Sequence, residues 1–301
     1  MISFLIPVFN RNIVSLITAL HNQLATVKEK GEIIVMDDAS TDESLREVNR
    51  KILTGLDHVK YIELTVNAGR NIIRHKLAAA AKYDTFIFLD ADSSFPDTLW
   101  LRRYLNALSG NTIIMGGRAY KESTPGASTL HFHYGTLREQ NSASQRSRHP
   151  YRSFLACNFL ISKHQLSQLI IDQHLHGYCH EDTFMGLQFE KLGIAIKHID
   201  NPVNHEGIDN DELFMKKQQE ALENLQYLYH AYSVQYNFGA SIKIIRVYRN
   251  IISVPAGKYM LNKIAHREHY FRSKALQSHS LFWLDVWKLV VFHRLSFQPA
   301  A

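Results

Sequence analysis

Residues 86–92 have the sequence FIFLDAD, in which four apolar residues are followed at once by two acids that stand two positions apart. An unbroken apolar run of this length predicts a strand that is buried on both faces of a sheet. In extended backbone, residues two apart point to the same side, so Asp90 and Asp92 would present their carboxylates together. The stretch therefore predicts a buried strand with an acidic site at its carboxyl end.

Three comparable apolar runs precede this stretch, and segments with helical spacing of apolar residues separate them. This alternation predicts an α/β domain with a parallel sheet that is covered by helices on both faces. The predicted strands span residues 2–8, 32–36, 59–64 and 85–89, and the predicted helices between them span residues 13–27, 40–53 and 69–83.

Polar residues follow each of these strands, at the edge where sheets of this type bind ligands. Asn10 and Arg11 follow the first strand, Asp37 and Asp38 the second, and Asn67, Gly69 and Arg70 the third. We expect them to meet Asp90 and Asp92 at one edge of the sheet. Ser40 and Glu43 have the spacing of a capping box, so a helix cap accounts for part of this polarity.

The second half of the chain is less regular. Residues 121–150 are polar and rich in serine, which predicts a long loop, either solvated or able to close over a ligand. We expect the α/β domain to span residues 1–210 and a mainly helical extension to span residues 211–301. Within this half, helices are predicted at 96–108, 181–192 and 211–230, and strands at 112–116, 154–162 and 194–199.

The formal net charge of +6 comes from the C-terminal part of the chain. From Ala240 onward there are ten lysines and arginines against two acids, so the preceding residues carry a small negative net charge. No nucleic-acid partner is expected for such a domain. Cys157 and Cys179 are the only cysteines and cannot form a disulfide framework, which favours a reducing compartment.

The apolar N-terminal run has no basic segment before it, so a signal peptide is not expected, and no apolar run is long enough for a spanning helix. We therefore expect a cytoplasmic protein. Residues 281–292 are strongly apolar and lie in the basic C-terminal part. They could pack on the rest of the chain, self-associate, or make a peripheral contact with the inner face of the cell membrane.

The acidic strand end suggests a metal site. Two adjacent carboxylates repel each other, and a divalent cation removes the repulsion; oxygen ligands suit Mg²⁺ or Mn²⁺. Such an ion would hold a diphosphate, which Arg70 and Arg74 could also contact, while Asp38 could accept hydrogen bonds from a base or a ribose. The plain alternatives are an acidic turn and a solvated helix face.

Five segments in this order resemble the inverting family 2 glycosyltransferases with the GT-A fold, over roughly residues 2–207. They are IPVFNR (6–11), IIVMDDAST (33–41), NAGRN (67–71), FIFLDAD (86–92) and CHEDTFMGLQFEKLG (179–193). The resemblance implies a Rossmann-like mixed sheet. It also implies metal-dependent transfer of a hexosyl or N-acetylhexosaminyl group from a nucleotide-sugar donor, with a UDP-sugar favoured. The expected acceptor is a hydroxyl of a carbohydrate or a lipid-linked molecule, in polysaccharide or glycolipid assembly.

The resemblance also assigns roles by position. Asp90 and Asp92 match the DxD motif, which binds Mn²⁺ or Mg²⁺ and the donor diphosphate, and His205 matches a position where some members have a third metal ligand. Glu181 and Asp182 match the catalytic acid pair, whose second member is usually the base. The donor-binding residues implied are Pro7, Asn10, Asp38, Asn67, Gly69, Arg70, Arg74 and Asp90. The family usually has an Arg-Asn pair where this chain has Arg74-His75.

Two other classes of function remain as alternatives. A haloacid-dehalogenase-type phosphatase also has a DxD after an apolar strand, but on its first strand and followed by threonine, whereas three predicted strands precede Asp90 and Ser93 follows Asp92. A non-enzymatic membrane or nucleic-acid adaptor would use the basic tail and leave the acidic cluster unexplained. The sequence contains no GxGxxG, which argues against a dinucleotide-binding dehydrogenase.

Overall fold

A computed structural model describes residues 1–122, 124–175, 177–178 and 180–297. The strands are β1 (Ile2–Val8), β2 (Gly31–Asp37), β3 (Val59–Glu63), β4 (Thr85–Leu89), β5 (Ser93–Ser94), β6 (Ile113–Met115), β7 (Arg118–Ala119), β8 (Asn158–Ser162), β9 (Ile196–His198) and β10 (Val203–His205). A seven-stranded sheet with the order β3-β2-β1-β4-β8-β6-β9 forms the centre of the structure, and a three-stranded sheet has the order β5-β10-β7.

The large sheet is mixed. β1 runs parallel to β2 and β4, and β2 runs parallel to β3, as the alternation of strands and helices predicts. β8 enters the sheet antiparallel to both β4 and β6. The family resemblance implied this mixed sheet and the structure confirms it. The first four strands therefore end at one edge, where their polar residues collect.

Helices cover both faces of the large sheet. On one face, α1 and α4 bury Ile17 and Trp100 with Phe4 of β1. On the other face, α3 and α8 bury Leu77 and Phe189. The helices are α1 (Val14–Ala25), α2 (Glu43–Leu53), α3 (Gly69–Ala80), α4 (Trp100–Ala107), α5 (Leu130–Tyr134), α6 (Ala143–Ser147), α7 (Lys163–Ser167), α8 (Glu181–Leu192), α9 (Asp211–Tyr232), α10 (Phe238–Ser241), α11 (Lys243–Ile252), α12 (Pro255–Ala265), α13 (Glu268–Ser278) and α14 (Leu281–Leu295), with a π-helical segment at Gly135–Glu139.

The C-terminal helices form a core of their own. α14 contributes Leu284, Trp287, Val290 and Phe292, all nearly inaccessible to solvent, while Phe282 is 65% exposed. The apolar run at 281–292 therefore mostly packs within the protein, the first of the three alternatives. Among the residues that the structure describes, no helix combines the length and apolarity needed to cross a bilayer.

Two local expectations were wrong. Much of residues 121–150 is short helix rather than a long loop, and Arg146 is buried there, where it donates hydrogen bonds to the carbonyls of Gly116 (3.2 Å) and Ile199 (2.7 Å). α2 is capped by Asp42, whose carboxylate accepts from the amide of Leu45, because the Ser40 hydroxyl instead donates to Asp37. Cys179 lies outside the described residues.

Candidate active site

The loop after β3 is fastened to the end of β2 by Asp38. Its carboxylate accepts hydrogen bonds from the backbone amides of Ala68 (2.6 Å) and Gly69 (2.9 Å), and the Asn67 side chain donates to the Asp38 carbonyl (2.9 Å). Gly69 has φ +81°, a conformation that favours glycine because it has no Cβ. Asp38, Asn67 and Gly69 thus form one rigid corner of the site.

The end of β1 forms the next part of the same edge. The Asn10 side-chain oxygen accepts from the amides of Thr41 (2.8 Å) and Asp42 (3.0 Å), which ties the loops after β1 and β2 together. A cleft of about 340 Å³ opens above these loops. It is lined by seven of the predicted residues: Pro7, Asn10, Asp38, Arg70, Arg74, Asp90 and Asp92.

Three arginines surround the carboxylate of Asp90. Arg118 lies 3.0 Å from its Oδ2, Arg74 lies 3.2 Å from its Oδ1, and Arg70 lies 3.6 Å from its Oδ2. Arg70 and Arg74 also reach Glu181, each at 3.2 Å. Arg118 also pairs with Glu139, so three carboxylates offset the three arginines, whose N–H groups could donate charge-assisted hydrogen bonds to an anion.

Asp92 has a different partner. Its Oδ1 lies 3.2 Å from Nδ1 of His205, and both atoms are buried without a hydrogen bond. Burial raises the pKa of Asp92, but the charges of His205, Arg118 and Arg11 lower it by a larger amount. The pKa of Asp92 therefore lies well below the usual range. The small sheet creates this pair, because β10 runs antiparallel to β5 and aligns His205 with Ser93.

An oxygen and an imidazole nitrogen, both buried and lacking hydrogen bonds, fit two ligands of Mn²⁺ or Mg²⁺. Gly207 leaves room for them, because a Cβ there would lie 2.5 Å from Oδ2 of Asp92. No group of three or more His, Cys, Asp or Glu within the described ranges is arranged to hold a metal. The remaining ligands of an ion would have to come from the donor and from water.

Glu181 and Asp182 begin α8 but have unlike surroundings. Glu181 is 5% exposed and lies against Arg70 and Arg74. Asp182 accepts a hydrogen bond from the amide of Thr183 (2.6 Å) and has no ion pair within the described residues. Burial, and then the negative charge of Glu181, raise the pKa of Asp182 to about 7. A carboxylate with this pKa is suited to accept a proton near neutral pH.

One pocket of about 80 Å³ connects these groups. Its walls include both acids of the DxD stretch, both acids of α8, His205, Arg70, Arg74 and Arg118. The structure therefore brings the residues predicted as catalytic and as metal ligands to one place.

Sequence reasoning missed Arg118 and Glu139. Arg118 donates to Glu139 (3.2 Å) as well as to Asp90, and the hydroxyl of Tyr120 also donates to Glu139. Arg118 lies just beyond the predicted strand at 112–116, so the rule that selected Asp38 and Asp90 would have found it. Glu139 lies in the segment interpreted as a loop, where no pattern marked it.

The sequence model of the family described as Glycosyl transferase family 2 matches residues 3–168, more than half of the chain. The chain belongs to this family. It is thus a member of a glycosyltransferase family, which favours sugar transfer over the phosphatase and adaptor alternatives. No curated protein matches the chain.

Solved structures with a similar fold include S. aureus TarS 1–349, with a TM-score of 0.50 and 14% identity over 98% of this chain and 90% of that one. Another is glucosyl-3-phosphoglycerate synthase from Mycobacterium tuberculosis in complex with Mn²⁺, UDP and glucosyl-3-phosphoglycerate, with a TM-score of 0.50 and 20% identity over 75% of this chain and 79% of that one. The same synthase was also solved with Mg²⁺ and UDP, at a TM-score of 0.50 and 21% identity over 75% and 78%. These likenesses confirm the GT-A fold.

Proposed function

We propose that this protein transfers a sugar from a nucleoside diphosphate donor to an acceptor hydroxyl, with inversion at the anomeric carbon. The observation that carries the proposal is the single pocket in which Asp182, the Asp92–His205 pair and the arginine cluster meet. The complexes of the M. tuberculosis synthase with UDP and Mn²⁺ or Mg²⁺ support a UDP-sugar and either ion.

The donor would occupy the cleft above β1, β2 and β4. Pro7, Asn10 and the Asp38 corner would flank the nucleoside, and Arg70 and Arg74 would face the diphosphate. Asp92 and His205 would hold Mn²⁺ or Mg²⁺, which supplies positive charge to the diphosphate when bound. Asp90, which is predicted as a metal ligand together with them, also contacts Arg70 and Arg74.

In the transfer step, Asp182 takes the proton of the acceptor hydroxyl as its oxygen attacks the anomeric carbon. The bond from that carbon to the donor diphosphate breaks, and its electron pair stays on the diphosphate oxygen. Arg70 and Arg74 stabilise the negative charge that develops there. Attack from the side opposite the leaving group inverts the configuration.

The proposal also covers the domain organisation, the type of sugar and a contact with the membrane. Residues 1–210 would form the catalytic domain and residues 211–301 an extension. Transfer of a hexosyl or N-acetylhexosaminyl group, in polysaccharide or glycolipid assembly, stays a prediction. So does a peripheral membrane contact, which Val254, Tyr259 and Met260 would make because these side chains are more than half exposed.

A thermal-shift panel of UDP, GDP, TDP, CDP and ADP, each with and without Mn²⁺, tests the donor site. A ligand that binds only the folded state raises its stability with concentration. We expect UDP with Mn²⁺ to raise the Tm, and Asp92→Ala to remove the Mn²⁺-dependent part. An unchanged Tm with every nucleotide would contradict the proposal. A rise in Tm with a nucleotide other than UDP would assign that nucleotide to the donor.

A further inference from the structure

A cavity of about 580 Å³ lies between the α/β part and the C-terminal helices. It adjoins the pocket described above, because Leu155, Tyr178 and Asp182 line both. Its size is within the range of sites for small-molecule ligands. A molecule bound in this cavity would reach Asp182, which does not line the donor cleft.

Aliphatic and aromatic side chains together form just over half of its walls. α9 contributes Leu222 and Leu225, α11 contributes Ile244 and Val247, and α14 contributes Val286 and Leu289. Sugar hydroxyls buried against such side chains would lose their hydrogen bonds to water without replacement. An apolar chain or ring would instead gain free energy from burial there. The walls therefore suit an apolar body rather than a bare carbohydrate.

The charged groups of the cavity leave an excess of positive charge. Arg138 and Lys243 share one carboxylate oxygen of Asp285, at 2.9 and 3.1 Å. Arg152 and Lys288 also line the cavity, and neither forms an ion pair within the described residues. These four cations face three carboxylates on the walls, those of Asp285, Asp182 and Glu139, and Glu139 is also engaged by Arg118.

Of these four cations, Lys288 has a pKa that is lowered by burial. Its Nζ lies 4.6 Å from the centroid of the Tyr134 ring, and burial lowers its pKa to about 8. A partly buried ammonium group that forms no ion pair favours an anionic ligand, because the ligand compensates its charge. Phe282 and Val247, which are 65% and 37% exposed, mark where the cavity opens to solvent.

Resting on the proposed function, we infer that this cavity binds the acceptor, and that the acceptor is an amphiphile with an apolar body and a phosphate or carboxylate group held by Lys288. Its apolar body lies between α9, α11 and α14, and its reacting hydroxyl lies at Asp182.

The test is a calorimetric titration with inorganic phosphate and with decyl phosphate, decanoate and decyl maltoside, the three decyl compounds each below its micelle-forming concentration. We expect the two alkyl anions to bind one molecule per chain, more tightly than decyl maltoside or inorganic phosphate. The tighter alkyl anion identifies the group. Binding of decyl maltoside as tight as that of both anions would overturn the role of Lys288.

Matched variants locate the binding. Lys288→Met should weaken alkyl-anion binding about tenfold, and Lys263→Met should not, although Lys263 also lies over a tyrosine ring, at 4.8 Å. Val247→Trp, at the opening, should weaken it, and Val254→Trp, which is exposed elsewhere, should not. Equal affinities within either pair would overturn the assignment.

The UDP and Mn²⁺ thermal shift, measured on the same samples, separates the two proposals and shows that each variant is folded. A retained shift without alkyl-anion binding overturns the acceptor inference alone. Alkyl-anion binding without any nucleotide shift overturns the proposed function and, with it, the role of the ligand as acceptor.

Discussion

Arg74 and Glu181 form a buried ion pair across 107 residues of sequence, with 3.2 Å between Nη1 and Oε1. The side chains are only 5% and 6% exposed. Arg74 lies in α3, which follows the donor loop, and Glu181 begins α8, which carries Asp182. The pair therefore joins the donor side of the site to the side that holds the proposed base.

Removing Arg74 should destabilise the protein, because the buried Glu181 would lose one arginine partner and keep Arg70 as the remaining one. We expect Arg74→Met to lower the free energy of unfolding by about 1–3 kcal/mol. A double-mutant cycle with Glu181→Gln in urea should give a coupling energy of about 1–3 kcal/mol. The exposed pair Arg103–Asp97 is the matched control, and its cycle should give less than about 1 kcal/mol. Equal coupling in the two cycles would contradict this view of the buried pair.

Asp182→Asn should abolish transfer and leave donor binding nearly unchanged. The amide keeps the shape of the side chain but cannot take a proton, so we expect the rate to fall at least about 100-fold. Radiolabelled sugar transfer measures the rate, and the UDP-dependent thermal shift measures donor binding. Asp97→Asn, an exposed acid outside the pocket, is the control. Full activity of Asp182→Asn would remove this residue from the mechanism.

The pH dependence of kcat/KM should reveal the titration of Asp182. Because burial and Glu181 raise the pKa of Asp182 to about 7, its basic form is lost as pH falls below about 7. We therefore expect kcat/KM to fall tenfold per pH unit on the acidic side of that value. If kcat/KM instead began to fall only below about pH 4, the base would have an ordinary carboxylate pKa, and the assignment would fail.

As pH rises, the contribution of Asp182 to the free energy of unfolding should fall, whereas kcat/KM should rise. Since the folded-state pKa of Asp182 exceeds the ordinary aspartate value of 3.8, the folded protein binds this proton more tightly than the unfolded chain between about pH 4 and 7. Its contribution to stability is present at low pH and is lost as pH rises through about 7. Asp182→Asn should thus be more stable than the wild type at pH 8, and this gain should shrink near pH 4, as measured by urea unfolding. An equal difference at both pH values would contradict the raised pKa.

The strand-end residues could be predicted because the signal is local. The apolar runs of β1, β2 and β4 identify buried strands, and Asn10, Asp38 and Asp90 follow from the rule that parallel strands end at one edge. This reasoning also placed Asp90 beside Asp92 as a pair. In the structure Asp90 contacts the arginines and Asp92 contacts His205, while both acids line the same pocket, and their joint role in binding a metal stays a prediction.

The small sheet could not be predicted from a pattern. β5 and β7 have two residues each and β10 has three, too few for any alternation to show. His205 came only from the family resemblance, and Arg118 of β7 was missed. The apolar residues of α14 left three alternatives open for a related reason. Its apolar residues are not confined to one face of the helix, so only its packing against α9 and α13 shows which side is buried.

The Asp92–His205 pair predicts a metal-dependent donor site that can be tested without following transfer. His205→Ala should weaken Mn²⁺-dependent UDP binding at least about tenfold, because the ion loses a ligand. Gly207→Ala should have a similar effect with both ligands present, since its Cβ would lie 2.5 Å from Oδ2 of Asp92 and displace the carboxylate. Gly55→Ala, where the nearest atom would be 3.5 Å away, is the control. The readout is the Tm with UDP over a Mn²⁺ titration, and an unchanged Mn²⁺ dependence in both variants would show that this pair does not bind the ion.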